Sequence, residues 1–243
     1  MDWHSRFLQQ AAWTRDLRGY LFERAGLTRA RRVLEVGCGT GAVLAGLDTP
    51  AAVHGLDLEP LRLAEARVHA PTAALVCGDA LQLPYPARVF EVTFCHFLLL
   101  WVRDPLQALL EMKRVTRAGG AVLALAEPDY DSRVDQPDAL APLGRWQSES
   151  LRRQGADPGV GGRLAALFHQ AGILPIETGL LQMDAQPLLS PAERDLEWAV
   201  LESDLAGWIP AQEIHRVKVL DEQAWEQGTR VLHVPTYFAW GKV

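Results

Sequence analysis

The sequence predicts an α/β domain on a mostly parallel sheet with helices on both faces, and three observations carry that prediction. Short apolar runs alternate with helical patterns between residues 33 and 126. The first run, Val33-Leu34-Glu35-Val36, leads straight into Gly37-Cys38-Gly39-Thr40-Gly41, a strand followed by a glycine turn. No internal repeat or low-complexity linker interrupts the alternation, and 243 residues suit one large domain with a modest lid and a sizeable core.

Taken in order, residues 5–25 read as a helix carrying Gln10, Trp13, Leu17 and Leu21 on one face. After the first strand, the three glycines let the backbone turn tightly and approach a ligand, where a Cβ would clash or forbid a left-handed dihedral. Ala42-Val43-Leu44-Ala45 is expected to begin a helix whose free N–H groups face that loop. Ala52–Asp57 makes a second strand, and Pro60 suits the first position of a helix running to about His69. Ala73–Cys77 is a third strand ending at Gly78-Asp79, and Val89–Cys95 a fourth. Asp104, Pro105 and Gln107 mark a capped helix start; that helix ends before Gly119-Gly120, and Ala121–Ala126 is a fifth strand. Residues 138–172 read as helical with a break at Gly155–Gly162, and Pro175–Met183 as a strand. Ser190-Pro191-Ala192-Glu193 is a capping box for a helix stopping near Gly207, and Val231–Val243 reads as the closing strand.

Composition narrows the function without naming it. Apolar residues at 49% and charged residues at 22% are ordinary globular values. The net charge of −6 argues against a polyanionic partner, since nucleic-acid binders carry a basic face. The longest apolar run, Phe94–Val102, is too short to span a bilayer and contains His96. Cys38, Cys77 and Cys95 form no C-x-x-C pair, which argues against a disulfide scaffold or a zinc site. With no basic-then-apolar pattern in Met1–Ser5, a cytoplasmic protein is the expectation.

The informative residue beside the glycines is Glu35. A carboxylate two positions before the first glycine would repel a pyrophosphate, but it suits a ligand carrying ammonium and sulfonium charges. With Glu35 and all three glycines in place, the segment resembles the first motif of the class I S-adenosylmethionine-dependent methyltransferases, in the branch of small-molecule and quinone-biosynthesis enzymes. The resemblance runs over most of the chain and implies a Rossmann-like, doubly wound, seven-stranded sheet with a reversed last hairpin, plus helical lid elements. The chain is then one domain, 1–243: a helical lid at 1–28, a cofactor-binding core at 29–130, and helical substrate-side segments at 131–172 and 185–228.

The same resemblance implies roles for residues. Asp57 would hold both ribose hydroxyls, since one carboxylate offers two acceptors to a vicinal diol. Leu58 would pack on the adenine face. Asp79 would accept from the adenine amino group, with the backbone N–H of Ala80 meeting a ring nitrogen and Leu81 alongside. Glu35, Gly37, Cys38 and Gly39 would line the seat, and Cys95 would reach its methionine end. Arg18 would reach the cofactor carboxylate, although a solvated arginine on an amphipathic helix fits the sequence equally well. Asp57 and Asp79 would also serve as turn or cap residues. For catalysis, His96 is the first candidate base, with an unperturbed pKa of about 6.5; as a satisfied buried histidine it would have none of that role. Glu127 and Tyr130, where the fifth strand ends, are the other candidates, beside the reading of Glu127-Pro128-Asp129-Tyr130 as a plain proline turn.

The implied function is transfer of a methyl group from S-adenosylmethionine to a small molecule, without metal, nucleic acid or membrane. No N-P-P-Y-like tetrapeptide follows the fourth strand, which counts against exocyclic-amine methylation on nucleic-acid bases or glutamine. Two other classes stay open. One is a non-catalytic module binding S-adenosylmethionine or S-adenosylhomocysteine. The other is a nicotinamide oxidoreductase, against which Glu35 and the G-x-G-x-G spacing weigh.

Overall fold

The computed structural model describes residues 2–181 and 189–243. The core is one seven-stranded sheet made of β1 (Arg32–Val36), β2 (Ala52–Asp57), β3 (Ala74–Cys77), β4 (Phe90–Cys95), β5 (Thr116–Pro128), β7 (Leu174–Leu180) and β9 (Thr236–Lys242). Its order is β3-β2-β1-β4-β5-β9-β7. The first five strands are mutually parallel, and only β9 runs against its neighbours β5 and β7. This is the doubly wound sheet with a reversed last hairpin that the sequence predicts.

The central strands are apolar on both faces, as a covered parallel sheet requires. In β5 the alternation sorts Ala121, Leu123 and Leu125 to one side and Val122 and Ala124 to the other, all fully buried. The first side packs under α2 (Arg15–Ala25) and α3 (Pro60–His69), with Phe22 edge-on to Phe94 at 5.1 Å between ring centroids. The second packs under α4 (Pro105–Val115) and α6 (Leu164–Gln170). Asp104 caps α4 as predicted, accepting from the Gln107 N–H.

A third cluster lies off the sheet, where α5 (Pro142–Arg153), α7 (Pro191–Leu205) and α8 (Ala211–Glu226) bring together Leu143, Trp198, Leu205 and Val217. The Ser190 capping box opens α7. A small ladder of β6 (Val134–Gln136) and β8 (Val231–His233) joins these helices to the sheet through buried ion pairs, Arg133 and Arg230 sharing Asp135 and Arg230 also holding Asp221.

Several expectations need correction. The chain after the glycine loop forms only a single 3-10 turn, Leu44–Gly46, and not the expected helix from Ala42. Little room remains before β2 begins at Ala52, and Gly46 and Pro50 both disfavour helix there. The helix expected over 5–25 is two helices, α1 (Trp3–Trp13) and α2, broken at Thr14, whose φ −104° and ψ 5° are not helical. The closing strand is shorter than Val231–Val243, because residues 231–233 pair with β6 and only β9 joins the main sheet. The expected strand to Met183 is described to Leu180; its end, and residues 185–188 of the second helical segment, lie outside the described residues. Among the described residues no helix is long and apolar enough to cross a membrane.

Candidate functional site

Because β1 to β5 run parallel, their carboxyl ends share one edge, where open α/β sheets bind ligands. That edge collects Glu35, Asp57, Asp79, Cys95, His96 and Glu127.

The glycine loop is held tightly. Gly37 and Gly39 have φ of 75° and 52°, and a Cβ on Gly37 would stand 2.6 Å from Leu98 Cδ1. The Gly37 and Cys38 N–H groups donate to the Leu56 carbonyl at 2.7 and 2.9 Å. Asp57 completes the seat: Oδ2 accepts from the Gly39 N–H at 2.7 Å, and Oδ1 from the Glu59 N–H at 2.9 Å. Its carboxylate is thus a splint between the loop and the entry to α3, with further lone pairs on each oxygen. Beside it Leu58 stands 62% exposed. On the next strand end, Asp79 is exposed and accepts from the Leu81 N–H at 2.8 Å, while Ala80 is buried and Leu81 packs partly buried on the core.

Glu35 is 2% exposed, and its Oε2 has no hydrogen-bond partner. Burial pushes its carboxyl well above the usual range, against the pull of the Arg18 guanidinium and with a smaller push from Asp57. Arg18, reaching over from α2, donates to Thr14 Oγ1 at 2.5 Å and to the Ala11 carbonyl. Thr14 Oγ1 also meets His96 Nε2 at 3.0 Å, so the kink between α1 and α2 ties Arg18 to the end of β4. Burial, reinforced by Arg18, drives the His96 imidazole down to about 3 instead of the ordinary 6.5. His96 therefore stays neutral at physiological pH, and it is a much weaker base than the sequence suggested.

Glu127 turns inward. It is fully buried, accepting from the Leu99 N–H at 2.9 Å and the Leu98 N–H at 3.1 Å, with the Cys95 thiol at 3.7 Å. Burial raises its carboxyl to about 7, against those backbone donors. Its work in this geometry is to fasten the loop after β4, the same loop whose Leu98 presses on Gly37. Burial pushes the thiols of Cys38 and Cys95 upward, so neither is a ready nucleophile. Tyr130 lies on the turn after β5 among other neighbours: burial raises its phenol, and Arg6 and Glu197 are the leading charges acting on it. It also lines a hollow of about 470 Å³ shared with Arg133, Trp146 and Trp208.

Sequence reasoning expected a helical lid at 1–28 but missed that α1 is a helix of its own, with its own contacts. Its Phe7 ring would stand 3.0 Å from a Cβ on Gly39, and His4 Nδ1 meets Thr40 Oγ1 at 2.8 Å, so α1 roofs the glycine loop. On another face Arg6 pairs with Glu197 of α7. Thr14 was the available signal, a β-branched residue with Asp16 two positions on, which suits a helix start inside an apparently continuous helix.

The chain resembles known proteins along this same core. A family model described as a methyltransferase domain matches residues 34–124. A demethylmenaquinone methyltransferase from Lysinibacillus sphaericus is 32% identical over 188 residues, covering 69% of this chain and 78% of that protein. A malonyl-[acyl-carrier protein] O-methyltransferase from Halorhodospira halophila is 39% identical over 126 residues, which is 49% of this chain and 43% of that protein. Against that enzyme and a Geobacillus kaustophilus demethylmenaquinone methyltransferase, matched over 53% of its length, the chain spans about half of the relative. Among solved structures, geranyl diphosphate C-methyltransferase from Streptomyces coelicolor A3(2) superposes with a TM-score of 0.56 at 13% identity, covering 87% of this chain and 70% of that one, and it shares the fold. With the glycine loop, Glu35 and Asp57 arranged at the strand ends and this similarity across the core, the chain belongs to the class I S-adenosylmethionine-dependent methyltransferases.

Proposed function

We propose that this chain binds S-adenosylmethionine at the edge of β1 to β4 and transfers its methyl group to a small-molecule acceptor. The observation that carries the reading is the buried Glu35 carboxylate with an unpartnered oxygen beside a glycine loop. A buried acceptor without a donor is costly, and an ammonium group arriving at that spot would relieve the cost. The residues fit the rest of such a ligand. Asp57 has lone pairs for a diol, exposed Leu58 offers an apolar face, Asp79 stands on the neighbouring strand end, and Arg18 lies within electrostatic reach of Glu35.

When bound, the cofactor supplies an activated sulfonium methyl group, which a nucleophile displaces in line. The chain's own part is to hold and to cover, and positioning is worth roughly 7–11 kcal/mol of barrier lowering. Neutral His96 anchors Thr14 and so the α1–α2 junction, and Glu127 anchors the Leu98 loop. Both are positioning residues in this reading, and the acceptor arrives ready to react or loses its proton to solvent. Helix α1 acts as the lid, with the α5, α7 and α8 helices on the acceptor side. The net charge of −6 and the unpaired cysteines support a cytoplasmic enzyme with no nucleic-acid partner.

Thermal-shift and calorimetric titrations with S-adenosylmethionine, S-adenosylhomocysteine and NAD test the reading. The first two should bind and NAD should not. Glu35→Gln should weaken both by about tenfold to a hundredfold, the worth of a charged hydrogen bond. Binding of NAD alone, or no effect of Glu35→Gln, would overturn it.

A further inference from the structure

The face of α1 that looks away from the glycine loop carries polar groups that the reading above leaves idle. At about 100° per residue, His4, Phe7 and Ala11 lie on one side of the helix, and Arg6, Gln9 and Trp13 on another. The first set covers the loop. The second meets the acceptor side. Arg6, 5% exposed, pairs with Glu197 of α7, donates to Gln9 Oε1 at 2.6 Å, and lies 5.1 Å from the centroid of the Trp13 ring.

The hydrogen bonds of this cluster do not balance. The Gln9 Nε2 and Trp13 Nε1 atoms are both buried, and neither has an acceptor among the described residues. Gln9 is itself only 8% exposed. Two orphaned N–H donors one helical turn apart, both against the same guanidinium, call for an oxygen that no described residue supplies.

The charges say which oxygen. The Arg6 guanidinium is already neutralised by Glu197, and Asp204 is a further acid acting on the same surroundings. A carboxylate entering here would meet two acids beside a guanidinium that is already paired. A neutral carbonyl oxygen would take both N–H donors without that repulsion. We infer that Gln9 and Trp13 receive a carbonyl oxygen of an uncharged acceptor, and that Glu197, by occupying Arg6, keeps carboxylates out. The inference rests on the methyl-transfer reading and adds the acceptor class to it.

The test uses the full chain loaded with S-adenosylhomocysteine and two isosteric probe pairs, 4-hydroxybenzamide against 4-hydroxybenzoate and decanamide against decanoate. In calorimetry, the amide of at least one pair should bind tenfold or more tightly than its acid. Trp13→Phe and Gln9→Leu should each weaken amide binding severalfold while leaving S-adenosylhomocysteine affinity unchanged. Glu197→Gln, which keeps a hydrogen-bonding amide opposite Arg6, should raise carboxylate affinity tenfold or more; a clasp with only a structural role would produce no such gain. A wild-type preference for the acids, or no binding of either amide, overturns the inference. So does loss of S-adenosylhomocysteine affinity in Trp13→Phe or Gln9→Leu, which would assign the donors to the cofactor. Wild-type protein that fails to bind S-adenosylhomocysteine refutes the methyl-transfer reading instead.

Discussion

Asp57 ties the glycine loop to the entry of α3 and is proposed to hold the ligand, and Asp57→Ala separates the two contributions. The substitution removes two backbone N–H donations to a charged acceptor, from Gly39 at 2.7 Å and Glu59 at 2.9 Å. Each is worth about 1.5–3 kcal/mol, so the stability loss should be roughly 3–6 kcal/mol before relaxation. The buried Gly39 N–H is then left without a partner, and the loop loses the tie that sets its distance from β2. Asp57→Asn should cost less, because its Oδ1 still accepts from one donor while its NH2 confronts the other. Urea unfolding followed by tryptophan fluorescence gives the stability, and calorimetry with S-adenosylhomocysteine gives the affinity. Both should fall in the order wild type, Asn, Ala, with affinity down tens-fold or more in the alanine variant. A destabilised Asp57→Ala protein that keeps full affinity would leave Asp57 as a splint alone and remove it from the ligand seat. An unchanged unfolding midpoint would refute the splint.

Three further outcomes follow from the same geometry. Gly37→Ala should lose about 1–3 kcal/mol of stability in chemical unfolding, since its Cβ meets Leu98 at 2.6 Å and its φ is 75°; a neutral effect would show that the loop is not held as described. Folded-state pKa values on opposite sides of their ordinary values should give opposite pH slopes. His96, lowered to about 3, loses stability as pH falls below 6.5, whereas Glu127, raised to about 7, gains it as pH falls from 7 towards 4.5. Stability profiles of His96→Asn and Glu127→Gln should therefore depart from wild type in opposite directions, and departures of the same sign would refute the pair of assignments. Deleting residues 1–13 should leave a folded protein with weakened S-adenosylhomocysteine binding, whereas deleting 1–25 should abolish folding; circular dichroism and calorimetry decide, and undiminished binding without α1 would end its role as a cover.

What was legible in the sequence was whatever a local pattern encodes. The strands from Arg32 to Cys95 and the capped starts of α4 and α7 rest on alternation, proline and capping chemistry within a few residues. The glycine loop, Glu35 and Asp57 could be placed because each follows a strand directly. What failed depended on distance along the chain. Nothing near His96 in sequence shows that Thr14 will meet it and that burial, reinforced by the charge of Arg18, will hold it neutral, nor does anything near Glu127 show that Leu98 and Leu99 will turn their N–H groups onto it. Arg6 and Glu197 stand on helices at opposite ends of the chain, so no spacing rule reaches their contact. The missing helix after Gly41 was misread for the converse reason: the apolar run was read for pattern when the few residues before Ala52 should have decided.

That missing helix explains why α1 sits where it does. With only a single turn after the glycine loop, the loop has no helix of its own to cover it, and the cover comes from elsewhere. Phe7 closes over Gly39, and His4 stacks on His69 of α3 at 3.4 Å between ring centroids while its Nδ1 meets Thr40 Oγ1. The helix buries little apolar surface: of its buried residues, Arg6, Gln9 and Ala11, only the last is apolar. Helix α2 instead sinks Leu21, Phe22 and Ala25 into the sheet-side core, where each large apolar side chain is worth about 1.5–3 kcal/mol. The free energy of local opening follows buried apolar contact, so in the proposed lid reading α1 should open at smaller cost than α2. The break at Thr14 falls at that energetic boundary. A cover that can leave without disturbing the sheet is what a site needs if it must admit a cofactor, exclude water and then release product. Thr14, joined to both Arg18 and His96, is the point at which that movement would be felt by the ligand seat.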